Sequence, residues 1–109
     1  MRIERELMRG AGPVAVLRLL SAGEKYGYEL VKMLDAKTQG VLAMGQSTLY
    51  PMLYNMHAKG LIAARVDKSG MRPRKYYRLT EKGKRRLENE SKQWQELALA
   101  MDKMGITSA

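Results

Sequence analysis

The 109-residue chain is expected to form a mainly α domain with one small β-hairpin and a long helix after it. Three observations lead there. Apolar side chains recur with the 3.6-residue period of helices as far as about residue 58. The period then changes to two across residues 62–79, on either side of an Asp67-Lys68-Ser69-Gly70 turn. Beyond Thr80 a helical pattern returns and runs to about residue 104.

Residues 1–9 read as a short, charged, amphipathic helix or arm that Gly10 and Gly12 interrupt. Pro13 suits the first turn of a new helix, where its missing N–H has no partner to lose. Val14, Val16, Leu17, Leu19 and Leu20 make that helix mostly buried, and it stops near Gly23. The next helix spans about residues 26–36, with Gly27, Leu30, Val31 and Leu34 on one stripe. A helical glycine costs about 1 kcal/mol relative to alanine, so Gly27 marks a point where another helix crosses closely.

Residues 39–45 form a linker with two glycines. Gly45 or Ser47 caps a third helix, with Pro51 in or near its first turn and Leu49, Met52, Leu53 and Met56 on its inner face. Gly60 ends it. In the hairpin, Tyr77 and Leu79 share one face of the return strand, and Arg74, Tyr76 and Arg78 the other. Thr80 caps the last helix, with Glu81 at its positive end. At ~1.5 Å per residue that helix is about 35 Å long, more than the rest of the domain can cover. Leu87, Trp94 and Met101 repeat at seven along it, with Leu97 and Met104 offset, which is a dimerisation pattern. The expected order is α, α, α, α, β, β, α, with residues 1–79 as one unit and residues 80–109 as a dimerisation helix and tail.

Composition narrows the function. Twenty Lys+Arg against eleven Asp+Glu give a net charge of +9. Between Arg65 and Arg86 ten cations face only Asp67 and Glu81, so nearly all of the net charge sits in the hairpin and the start of the last helix. That favours a polyanionic partner. The absence of cysteine excludes disulfides and thiolate metal sites. The charged N-terminus has no apolar signal core, and the uncharged stretch 38–58 is too polar for a membrane span, so a cytoplasmic protein is expected. The lone His57 has no second histidine or cysteine to work with, and no phosphate-binding glycine loop or catalytic constellation is present. Neither enzyme activity nor a cofactor is expected.

A short helix offering hydroxyls and tyrosines, followed by a basic hairpin, is what a winged helix-turn-helix needs to sit on DNA. Ser47, Thr48, Tyr50 and Tyr54 are the candidate major-groove residues, with the alternative that both tyrosines merely flank the core. Lys68, Arg72, Arg74 and Lys75 are the candidate backbone or minor-groove contacts. Leu7, Met8, Leu87, Trp94, Leu97 and Met101 are the candidate dimer contacts, and Trp94 could instead stack on an aromatic ligand. A two-fold dimer should prefer an inverted repeat in double-stranded DNA. Two rivals stand beside this reading: a basic RNA- or ribosome-associated protein, and a winged helix used only for protein contacts.

Tyr26-Gly27-Tyr28-Glu29-Leu30, Thr48-Leu49-Tyr50-Pro51, Gly60-Leu61-Ile62 and Arg74-Lys75-Tyr76-Tyr77-Arg78-Leu79-Thr80, in that order and spacing, resemble the PadR-like transcriptional regulators. The resemblance covers roughly residues 7–104, and the single helix after the hairpin resembles the compact branch of that family. It implies a homodimeric repressor in which the last helix packs on the partner's first. It also implies control of detoxification or efflux genes and release by small aromatic compounds, with Trp94 placed like a tryptophan that lines a pocket between protomers. The chain departs from the pattern at Asn55-Met56-His57, where many members carry Arg-Leu-Glu, so the third helix is uncharged until Lys59.

Overall fold

The computed structural model describes residues 1–107; residues 108–109 of the expected C-terminal unit lie outside the described residues. The element order is α1 (Arg5–Ser21), β1 (Lys25–Tyr26), α2 (Gly27–Lys37), α3 (Gln46–Ala58), β2 (Ile62–Asp67), β3 (Arg74–Leu79) and α4 (Glu81–Lys103).

The expected break at Gly10 and Gly12 does not occur. α1 is continuous through both glycines and through Pro13. Tertiary packing overrides the local propensities. A Cβ on Gly12 would come within 2.8 Å of the Met52 side chain, so glycine lets α1 lie this close to α3 without displacing Met52.

A second departure is β1. Its two residues pair antiparallel with β3, Lys25 opposite Tyr77 and Tyr26 opposite Tyr76, giving a three-stranded sheet in the order β1-β3-β2. Two residues are too few to show a period, so the sequence alone carries no sign of this strand. The hairpin itself follows expectation: Ile62 pairs with Leu79 and Asp67 with Arg74. The Asp67 carboxylate accepts hydrogen bonds from the Ser69 amide and hydroxyl, closing the start of the turn.

Gly45 is the N-cap of α3, and Pro51 is its sixth residue rather than part of its first turn. Pro51 has no N–H to offer the Ser47 carbonyl, which lies at the exposed start of the helix within reach of water. The helix ends in a Schellman motif. Gly60 takes φ +74°, its amide reaches the His57 carbonyl at 2.9 Å, and the Leu61 amide reaches Met56 at 2.9 Å.

One core joins all the helices and the sheet: Val16, Leu17 and Leu20 of α1, Leu30 and Leu34 of α2, Leu49, Leu53 and Met56 of α3, and Ile62, Tyr77 and Leu79 of the sheet. α4 contributes Leu87 to it, and Gly83 is the other buried residue of that helix. A Cβ on Gly83 would overlap the Leu61 carbonyl oxygen. The helix start is further tied down through Thr80, whose hydroxyl donates to the Gly60 carbonyl and accepts from the Gly83 amide at 3.0 Å. Beyond Ser91, α4 leaves the body of the domain, and the molecule measures 52 × 30 × 21 Å.

Met8 and Leu87 need correction as partner contacts. They are 6% and 9% exposed, covered within the protomer's own core. Both fall on the inner edges of their helical stripes, which sequence spacing does not distinguish from an interface position. Leu7, Trp94, Leu97 and Met101 keep surface for a second chain.

Candidate nucleic-acid interface

α2 and α3 form the helix-turn-helix. Their crossing is set by Gly27, since a Cβ there would lie 2.6 Å from the Tyr50 hydroxyl. The close crossing expected at Gly27 is therefore present, and its partner is the ring of Tyr50. Tyr50 thus reaches toward α2 and spaces the two helices, which leaves it the least suited of the four candidates to read a base edge. Tyr54 stands out from the same helix, 75% exposed. Ser47, Thr48, Pro51 and Asn55 are exposed with it and Tyr50 is 42% exposed, so α3 shows solvent an uncharged face of hydroxyls, an amide and two aromatic rings.

The hairpin supplies the charge. Lys68 and Arg72 stand in the loop between β2 and β3, and Arg74 and Lys75 open β3. All four are exposed, and among the described residues none is in an ion pair. The Arg74 guanidinium lies 4.8 Å from the Tyr26 ring centre, and the Lys75 ammonium lies 5.7 Å from that of Tyr77. Both cations are held against aromatic faces that cost them little hydration.

On the outer face of the sheet, Tyr26 meets Tyr76 edge to face at 5.6 Å. Arg65 lies over Tyr76 and pairs with Glu24, which precedes β1. The Arg65 guanidinium holds the Glu24 carboxyl below its usual range by direct hydrogen bonding. The Ser69 hydroxyl and amide do the same to Asp67. Burial pushes the Tyr77 phenol up, as expected for a ring packed into the core. This ladder ties β1 to the wing. Sequence reading missed it because its anchor, β1, left no periodic trace.

Trp94 is 40% exposed. Its ring borders a shallow apolar groove of about 390 Å³ between α1 and α4, whose other walls include Ala11, Val14, Leu42 and Leu87. His57 is exposed, and the described residues hold no cluster of metal-ligating side chains. No described helix is long and apolar enough to cross a membrane.

A helix-turn-helix followed by a cation-bearing hairpin defines a winged-helix protein. Residues 16–89 match the Transcriptional regulator PadR-like family. The fold is similar to that of a PadR family transcriptional regulator from Eggerthella lenta, with TM-score 0.82 and 37% identity over 94% of this chain and 88% of that one. It is also similar to Bacillus subtilis PadR in complex with operator DNA, with TM-score 0.67 and 29% identity over 72% of this chain and 46% of that one. A curated relative, the transcriptional regulator YqjI of Escherichia coli, is 32% identical over 84% of this chain, which spans 43% of that protein's length. The chain belongs to the PadR-like family of transcriptional regulators.

Proposed function

We propose that this protein is a dimeric, sequence-specific DNA-binding repressor that works in the cytoplasm. The observation that carries the reading is the pairing of an uncharged, exposed α3 face with a wing whose four cations form no ion pair among the described residues. Phosphate contacts position a protein and base contacts specify the sequence. Here the two tasks fall on different elements. Lys68, Arg72, Arg74 and Lys75 anchor the backbone, while Ser47, Thr48 and Tyr54 face the major groove. The operator complex of the Bacillus subtilis relative supports duplex DNA as the partner.

Dimerisation uses the protruding half of α4, where Trp94, Leu97 and Met101 share one side and Leu7 of α1 is exposed to receive a second chain. A two-fold dimer places two α3 helices about one helical turn apart, roughly 34–36 Å, on an inverted repeat. The groove beside Trp94 supports an aromatic effector that competes with the DNA-bound arrangement, and genes for efflux or detoxification fit such an inducer.

Selection of bound duplexes from a random pool should return an inverted repeat. Replacing Arg72 and Arg74 by alanine should weaken binding to every sequence and lower the salt slope by about two, one for each phosphate contact removed. An unchanged slope removes the wing from the interface. Displacement of the selected duplex by bulk RNA at equal nucleotide concentration favours the RNA-binding rival.

A further inference from the structure

We infer that the N-terminal arm is a second DNA-backbone clamp, in which Arg2, Arg5 and Arg9 hold phosphates beside the start of α3. This rests on the DNA-binding reading above and adds an element to it. The arm is built into the fold: the Ile3 amide donates to the Val41 carbonyl at 3.1 Å, in the linker leading to α3. Ile3 packs against the core and Met8 is buried in it. These two anchors set the direction of everything between them.

The result is a groove of about 430 Å³ with the arm as one wall and the start of α3 as the other. Arg2, Arg5 and Arg9 line it from the arm, facing Gly45 and Thr48. Glu4 is the one acidic side chain in the lining. Arg9 approaches Glu6 at 3.8 Å, with both side chains largely exposed, and Arg2 and Arg5 form no ion pair among the described residues. Arg2 and Arg5, both unpaired among the described residues, and Arg9 with its loose, exposed contact to Glu6 therefore line a concave site whose one lining carboxylate is Glu4.

Continuity with the reading face selects the occupant. Thr48 belongs both to this groove and to the exposed face of α3. A duplex seated on α3 must run its backbone past one flank of that helix, and the arm occupies the flank on the Thr48 and Met52 side. Duplex DNA carries one negative charge per ~1.7 Å of its axis, and arginine pairs with phosphate through two parallel hydrogen bonds. With 3.6 residues per turn, Arg5 and Arg9 share the side of α1 that carries Met8 and Gly12, roughly opposite Leu7. Arm and partner chain therefore use different sides of α1, and the clamp stays open in a dimer that uses Leu7.

The test compares four full-length proteins on a fluorescent random-sequence duplex of about three helical turns, with Kd measured across a salt series. They are the unmodified protein, an arm variant with Arg2→Gln, Arg5→Gln and Arg9→Gln, its counterpart with lysine at the same three positions, and the Arg72→Ala, Arg74→Ala wing variant. The glutamine arm variant should lose two to three from the salt slope and bind about 10- to 100-fold more weakly at 0.1 M salt, and the lysine variant should restore most of both. Thermal melts of the unmodified protein and the two arm variants should coincide, because the three altered arm side chains are exposed. A glutamine variant with the unmodified slope, or a lysine variant as weak as the glutamine one, overturns the clamp while the wing result stands. Absence of duplex binding by the unmodified protein at low salt overturns the DNA-binding reading and the clamp together.

Discussion

Gly83 shows how one residue can decide whether an element docks. Inside an ordinary exposed helix, glycine to alanine stabilises by about 1 kcal/mol. Here the new methyl group would run into the Leu61 carbonyl, a backbone atom that cannot turn aside as a side chain can. Gly83→Ala should therefore destabilise, by about 2–3 kcal/mol as the start of α4 is pushed off the α3–β2 turn. Urea unfolding of the variant measures this, and a neutral or stabilised protein would refute the close approach. Gly27 and Gly12 belong to the same kind of site with softer neighbours: the Tyr50 ring and the Met52 thioether can shift by rotating. Tyr54 is the opposite case, a large ring left 75% exposed on a helix whose inner face is fully packed.

At the scale of the element, the wing is held by more than its own hairpin. Glu24 before β1 grips Arg65 on β2, across the intervening β3, while Tyr26 and Tyr76 pack between them. Glu24 and Asp67 both have folded-state pKa values held below the ordinary carboxylate range. Groups shifted this way contribute stability at and above their unfolded values, and the contribution is lost as pH falls through the lowered folded values. The wing should thus be fully seated at neutral pH and loosen below about pH 4. Following Tm against pH checks this: Glu24→Gln should lower Tm at neutral pH and flatten its decline in acid. A variant that tracks the unmodified protein at every pH would show that the pair does not hold the wing. α3 has no charged residue of its own, so its hold on a polyanion depends on the elements beside it.

At the scale of the whole molecule, the outer half of α4 is a helix without a partner. Ser91 is the last half-covered residue before it leaves the domain, and beyond it Trp94, Leu97 and Met104 expose apolar surface along one side of the helix, with Leu99 exposed on the other. An exposed apolar side of this kind fits the dimer contact proposed above. Leu97 is 43% exposed in the protomer, so Leu97→Asp should leave the protomer folded. In the proposed dimer it would bury an unpaired charge, costing about 3 kcal/mol, on the order of 100-fold in dimer Kd. If the proposed dimer holds, sedimentation should show the unmodified protein as a dimer and the variant as a monomer at the same concentration, and Trp94 emission should shift to the red in the variant as its ring stays wet. A variant that remains dimeric with unchanged emission would move the interface elsewhere.

Much of this was already readable along the chain. The stripes of α2 and α3, the period change at residue 62, the Thr80 cap and the cation cluster of the wing are local or periodic signals, and each survives folding because its chemistry acts within a few residues. Gly27 announced a close crossing but not the Tyr50 ring that fills it. The unbroken α1, the two-residue β1 and the burial of Met8 and Leu87 were decided only by tertiary contacts. Each depends on atoms distant in sequence: Met52 against Gly12, β3 beside β1, and the core closing over the inner edges of α1 and α4. Sequence by itself determined the kind of protein this is, because helix period, strand period and charge density are properties of neighbouring residues. Where the arm lies, which tyrosine faces outward and which apolar residues remain for a partner were settled by packing, because burial is a property of the assembled fold.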